Sequence, residues 1–245
     1  MTTAVLNKIS IHDIASMIDH SLLRPTMTDN DLITGFETAL KWHVASVCVK
    51  PYAVALCKKY LLDSPVKVCT VIGFPHGSHT KSVKKIETLQ AIADGATEID
   101  MVVNIGKVLS NDWEYVKTEI AEINAICLTG NAILKVIFEN DYLLNDNYKI
   151  LLTKVCREIG VAYVKTSTGY GYNKLPNGHF VANGATISDC KLMVAHAGHA
   201  MKVKAAGGIR TLNDLMAFRE IGVARIGATA TETILQEFVD KQNGI

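Results

Sequence analysis

Two lysines interrupt runs that are otherwise apolar and strand-like. They are Lys165 in Ala162-Tyr163-Val164-Lys165-Thr166-Ser167-Thr168-Gly169 and Lys204 in Met201-Lys202-Val203-Lys204-Ala205-Ala206-Gly207-Gly208. Burying a cation is costly unless something offsets it, and one response is a depressed pKa. Free lysine titrates near about 10.4, so little of it is neutral at neutral pH. A depressed lysine is a neutral amine and a nucleophile. A third apolar run carries the acid Glu98-Ile99-Asp100. Two such amines with one carboxylate suit Schiff-base chemistry on a carbonyl substrate, with Asp100 passing protons through a water. Spacing does not say which lysine is the nucleophile. The competing reading makes either lysine a salt-bridged structural cation, with Asp100 as its counter-ion.

The elements that must position these groups alternate along the chain. Apolar, β-branched runs fall at residues 44–50, 66–74, 98–104, 134–140, 162–169, 201–208 and 224–230, with a weaker one at 15–20, eight in all. Near-continuous hydrophobicity fits parallel strands covered on both faces. A helical segment follows each, with start signals at Thr28, Pro51, Thr80, Asn111, Asn145 or Asp146, Thr186, Thr211 and Thr231. Glycines at 95, 160, 198 and 222 mark helix ends. Eight β-then-α units match a TIM (β/α)8 barrel, typically about 250 residues. The 245 residues are therefore expected to form one domain, 1–245, with a short N-terminal helical segment. A doubly wound open sheet is the structural alternative.

In a TIM barrel the chemistry sits at the C-terminal ends of the strands. Asp100, Lys135, Lys165 and Lys204 fall in strands four to seven and are expected to point inward. Lys165 and Lys204 would lie on adjacent strands, about 5 Å apart, where one ammonium can depress the other. Lys202 shares parity with Lys204, so it lies low in the barrel or before the regular strand. Glycine-rich turns end the last three strands: Thr168-Gly169, Gly207-Gly208 and Gly227-Ala228-Thr229. Glycines admit an anion to backbone N–H groups, and the loops after strands seven and eight are the frequent phosphate site of this fold.

Other chemistries find less support. His76 and His79, and His196 and His199, are three apart, but no carboxylate completes a ligand set, so no metal is expected. There is no nucleophile elbow and no dinucleotide fingerprint, so no cofactor is expected. The net charge is +1, without a basic stripe, which argues against nucleic acid and anionic membrane as partners. No apolar run is long enough to span a bilayer, and Met1 to Ser10 lacks a targeting signal. Six scattered cysteines read as buried thiols of a cytoplasmic protein.

The chain resembles the deoxyribose-phosphate aldolase family. The matching segments include Ile18-Asp19-His20-Ser21-Leu22-Leu23-Arg24-Pro25-Thr26, Ser46-Val47-Cys48-Val49, Val71-Ile72-Gly73-Phe74-Pro75-His76-Gly77 and Glu98 to Asn104. They continue with Leu134-Lys135-Val136-Ile137, Val164-Lys165-Thr166-Ser167-Thr168-Gly169 and Val203-Lys204-Ala205-Ala206-Gly207-Gly208-Ile209-Arg210. The resemblance implies a metal-independent class I aldolase that reversibly cleaves 2-deoxy-D-ribose 5-phosphate to D-glyceraldehyde 3-phosphate and acetaldehyde. It implies that Lys165 forms the Schiff base, that Lys204 perturbs it and moves protons, and that Asp100 joins the relay. By the same resemblance the backbone at Gly207, Gly208 and around Gly227 to Thr229 holds the phosphate, and a homodimer is expected; Cys48, Lys135, Thr168 and Gly169 are further candidates for substrate or phosphate contact.

Two departures stand out. Tyr170 occupies a place where some members carry a phosphate-binding lysine. The stretch 170–185 is longer than usual and holds Tyr172, Lys174 and glycines at 171 and 184. It is expected to cover part of the site, with Lys174 or Tyr172 supplying the missing phosphate contact. A related aldolase for a non-phosphorylated sugar is the alternative that these departures motivate. A non-catalytic sugar-phosphate binder is a third, opposed by the cost of charges inside a barrel.

Overall fold

The computed structural model describes residues 9–244. Residues 1–8, most of the stretch read above as lacking a targeting signal, lie outside the described residues, as does 245. Eight parallel strands close into a barrel: β1 (Ile18–Leu22), β2 (Ser46–Val49), β3 (Lys67–Ile72), β4 (Glu98–Val102), β5 (Ile133–Ile137), β6 (Tyr163–Lys165), β9 (Lys202–Ala206) and β10 (Arg225–Ala228). The ring order is β1-β10-β9-β6-β5-β4-β3-β2. The expected TIM barrel is thus the observed fold. The numbers seven and eight go to a small hairpin, β7 (Asn173–Lys174) with β8 (Phe180–Val181), which pairs antiparallel outside the ring.

The helices are α1 (Ile11–Ala15), α2 (Asp29–Trp42), α3 (Val54–Tyr60), α4 (Lys81–Ala93), α5 (Ile105–Leu109), α6 (Trp113–Thr129), α7 (Asp146–Ile159), α8 (Ile187–Ala197), α9 (Leu212–Glu220) and α10 (Thr231–Gln242). Side-chain oxygens of Thr28, Thr80, Asn145, Thr186 and Thr211 accept backbone N–H groups at helix starts, as their positions foretold. Two start signals read differently in the structure. Asn111 adopts a left-handed φ of 58°, and its neighbour Asp112 caps α6. Thr231 does open α10, as its first residue, but it does not cap it: its hydroxyl turns inward to His20 Nδ1 at 2.7 Å.

The main core fills the space between the barrel and the helix layer. The barrel lumen itself is divided. On the side of β2 and β3, Leu23, Cys48, Cys69 and Val71 form a small apolar wall, extended by Phe74 and Tyr170. The opposite side is lined by charged groups. Lys202 begins β9 at the bottom of the barrel, exposed, with its ammonium 5.9 Å from the Tyr163 ring centroid. That low position resolves the parity question. Regular β6 pairing ends at Lys165, three residues in, because the Thr166 hydroxyl takes over the bonding, accepting from Ala206 N at 3.0 Å.

Candidate active site

Register brings the charged residues to one place. Asp100 lies beside Lys135, and Lys165 beside Lys204, on neighbouring strands. Asp100 Oδ2 accepts from Lys165 Nζ and from Lys204 Nζ, both at 2.8 Å, and its Oδ1 lies 3.0 Å from Lys135 Nζ. Asp19 meets Lys204 at 2.5 Å, Lys135 at 3.0 Å and Arg225 at 2.5 Å. Glu98 completes the cluster, 2.6 Å from Lys135 and 3.4 Å from Arg225. Asp19, Glu98 and Arg225 were not singled out from the sequence.

The partners are unequally shared. Lys135 contacts Asp19, Glu98 and Asp100. Lys204 contacts Asp19 and Asp100, while Lys165 contacts Asp100 alone. Four basic side chains face three carboxylates, so the cluster carries one positive charge too many when every group is ionised. Burial alone would push the Asp100 carboxyl up, but Lys135, Lys165 and Lys204 outweigh it and hold the group well below the usual range. Burial likewise pulls the Lys204 ammonium down, and Asp100 and Asp19 overcome that, holding it above the ordinary lysine value. Lys135 behaves in the same way. The expected depression of Lys204 is therefore reversed: two carboxylates in contact outweigh both desolvation and the neighbouring lysine.

Above the cluster, at the C-terminal mouth of the barrel, a cavity of about 270 Å³ opens. Lys165, Lys204 and Asp19 reach its floor. Cys48, Thr168, Gly169, Gly207, Gly208, Gly227 and Thr229, all candidates from the sequence, line it. Lys135 and Asp100 do not: both are fully buried beneath it. Tyr170, Arg24 and Arg210 also line the cavity, the arginines from the loops after β1 and β9.

Lys174 is not brought to the site. It is exposed on β7, in a hairpin tied by Tyr172 packing edge-on to Phe180 at 4.9 Å and by Asn173 donating to the Asp141 carbonyl. The long loop instead supports the site from behind. Asp141 accepts Asn183 N at 2.8 Å and Gly184 N at 3.0 Å, and Ala185 N donates to Gly207 O at 3.1 Å. A Cβ on Gly184 would sit 2.7 Å from Gly207 O, and both glycines have positive φ. Only glycine allows this contact, which fixes the Gly207-Gly208 turn. Helix α10 starts without a side-chain cap, leaving N–H groups beside Thr229 available to an anion. Buried Glu139, at a left-handed φ of 56°, accepts both the backbone N–H and the hydroxyl of Thr168.

His20, on β1 next to this mouth, is buried, and burial lowers it to about 4 from 6.5. A folded-state value below the unfolded one means that the unfolded chain takes up a proton first. Stability should be full above about 6.5 and fall as the pH drops towards 4. Urea unfolding at pH 7 and at pH 5 should differ by about 2 kcal/mol from this group. His20→Asn should remove that part of the slope; an unchanged slope would contradict the assignment.

The model of the DeoC/LacD family of aldolases matches residues 14–230. The chain belongs to that family. It is 47% identical over 226 residues to the deoxyribose-phosphate aldolase of Rhodopirellula baltica, covering 92% of this chain and 89% of that one. It is 43% identical to the deoxyribose-phosphate aldolase of Caldanaerobacter subterraneus subsp. tengcongensis, covering 96% and 97%. Among solved structures, the tetrameric deoxyribose phosphate aldolase of Aeropyrum pernix superposes with a TM-score of 0.83 at 30% identity, covering 96% and 94%. The aldolase fold and family expected from the motifs are therefore those of this chain.

Proposed function

We propose that this family member cleaves and forms 2-deoxy-D-ribose 5-phosphate through a Schiff base on Lys165. The observation that carries the assignment is the unequal sharing of carboxylates. Of the three lysines in the cluster, Lys165 has the single partner, and it reaches the cavity. Losing its proton brings the cluster to three cations against three anions. Lys204 and Lys135 are held as ammonium by two and three carboxylates.

The steps follow from that division. The Lys165 amine adds to C1 of the open-chain aldehyde and water leaves, giving an imine. The imine draws the C2–C3 electron pair as that bond breaks, while the C3 hydroxyl loses its proton. Glyceraldehyde 3-phosphate departs. Protonation of the enamine at C2 and hydrolysis then release acetaldehyde and restore the amine. Proton traffic between cavity and Asp100 passes through Lys204, because Lys204 lines the cavity and Asp100 lies beneath it. Asp100 is thus the inner end of the relay.

The phosphate is assigned to the Gly207-Gly208 turn, Gly227 to Thr229 and the uncapped start of α10. Arg210 and Arg24 serve as its cations in place of the expected Lys174. Steady-state cleavage of the 5-phosphate and of free deoxyribose tests this reading. The phosphorylated sugar should be strongly preferred. Arg210→Ala should lower its kcat/KM about 10–100-fold while sparing free deoxyribose. Lys174→Ala should leave KM unchanged. Equal turnover of the two sugars by the native enzyme would favour the non-phosphorylated alternative.

All six cysteines are free and buried, which supports a reducing, cytoplasmic setting. A homodimer, proposed from the family resemblance alone, is open to light scattering.

A further inference from the structure

The apolar wall of the lumen holds a feature that the proposed reaction does not use. Cys48 and Cys69 are direct register partners on the neighbouring parallel strands β2 and β3. Neighbouring strands run about 4.8 Å apart, inside the Cα separation that a disulfide spans. Both side chains point into the lumen, and their sulfurs lie within 4.8 Å of one another. Cys48 lines the cavity, so a small solute can reach it. Cys69 lies behind it, fully buried, donating its S–H to Asp100 Oδ1 at 3.2 Å and accepting from Lys135 Nζ at 3.3 Å.

The two thiols differ in reactivity. Contact with the Cys69 sulfur pulls the Cys48 thiol below its ordinary value against burial and the Asp100 charge, with Lys204 and Lys165 assisting, while burial drives Cys69 well above its own. Burial pushes Cys57, Cys127 and Cys190 up to about 12, and Cys156 higher still. Cys48 is therefore the thiolate-prone group among the described residues, and it opens onto the cavity. Cys48, Cys69 and an Asp100 oxygen are also close enough together to hold a metal ion. The charges argue against one: the Lys135 and Lys204 ammonium groups already lie against Asp100, and a divalent cation would enter a field of like sign. A neutral product from the two sulfurs meets no such opposition.

We propose that Cys48 and Cys69 form a reversible redox pair, in which oxidation by hydrogen peroxide closes a disulfide across β2 and β3 and switches the cavity off. The Cys48 sulfur attacks a peroxide oxygen and the O–O bond breaks. The departing hydroxide takes the thiol proton and leaves as water, and Cys48 carries a sulfenic acid. The Cys69 sulfur then attacks the Cys48 sulfur and the S–O bond breaks. The hydroxide leaves as a second water with the proton that Cys69 had shared with Asp100. Two thiols lose two hydrogens and two electrons, and one peroxide is reduced to two waters. The disulfide ends the S–H donation to Asp100 and alters the wall beside Lys165.

The test treats the full-length reduced enzyme with hydrogen peroxide, then follows intact mass, mapped peptides and turnover. The expected product is lighter by two hydrogens and contains a linked Cys48–Cys69 peptide. Turnover should fall about tenfold or more and recover with dithiothreitol. Cys69→Ala should lose the linked product and instead give a dimedone-reactive sulfenic acid at Cys48. Should that variant fail to fold, Cys48→Ser should equally lose the linked product. Peroxide inactivation without the linked peptide, or a linked peptide with turnover unchanged, would overturn the proposal. The mass readout does not depend on the substrate assignment, so a failure here is separable from a failure of the proposed function.

Discussion

Lys165→Ala is expected to abolish cleavage of deoxyribose 5-phosphate, lowering kcat by at least about 10⁴-fold, because no other cavity lysine can supply a free amine. Lys204 also reaches the cavity, but Asp19 at 2.5 Å and Asp100 at 2.8 Å hold it as ammonium. The same substitution should leave the fold standing. Removing Lys165 leaves three cations for three carboxylates, and Asp100 keeps both Lys135 and Lys204. The truncated side chain borders an open cavity that water can fill. Thermal unfolding should therefore show a midpoint near that of the native enzyme. Lys135→Ala should behave in the opposite way. It would take the shared cation from Asp19, Glu98 and Asp100 at once, and should destabilise by about 3–5 kcal/mol. A Lys165→Ala enzyme with turnover within tenfold of native would contradict the assignment.

Asp100→Asn carries the second large effect. One oxygen of Asp100 accepts from both Lys165 and Lys204, and the other faces Lys135. The amide keeps the shape and removes the charge, leaving four cations with two carboxylates. Turnover should fall by about 10²–10⁴-fold through the lost relay, with KM little changed, since Asp100 does not touch the cavity. Stability should drop by about 3–5 kcal/mol, the usual penalty for leaving buried charges unpaired. Imine formation itself should survive, because the Lys165 amine remains and still reaches the cavity. Turnover within tenfold of native would remove Asp100 from the relay.

The barrel was legible because its strands are short apolar runs followed by capped helices, and the closed ring follows from eight such units. Lys165, Lys204 and Asp100 were legible for the same reason: charge stands out within an apolar strand. Glu98 and Arg225 were not, because they sit at strand starts, where charge is ordinary. Lys67 and Lys202 begin strands too, and both are exposed at the barrel bottom. Only the closure of the ring separates the Glu98 that turns into the lumen from the Lys67 that does not. Asp19 lay in the weakest of the expected strands, yet it bonds Lys135, Lys204 and Arg225.

The long stretch after β6 has a further part that its sequence did not show, beyond Tyr170 at the cavity. Its length and aromatic content suggested a cover over the substrate. Its hydrogen bonds run to Asp141 and Gly207, which makes it a brace for the glycine turn. Such partners are distant in sequence and leave no periodic trace. Arg24 and Arg210 lie in loops on either side of the cavity, and no local pattern links them.

The most direct measurement is reduction of the enzyme–substrate mixture with borohydride, followed by peptide mapping. One covalent adduct should form, on Lys165, and it should be absent from Lys165→Ala. Label on Lys204 or Lys135 in the native enzyme, or no label during rapid turnover, would contradict an imine at this lysine.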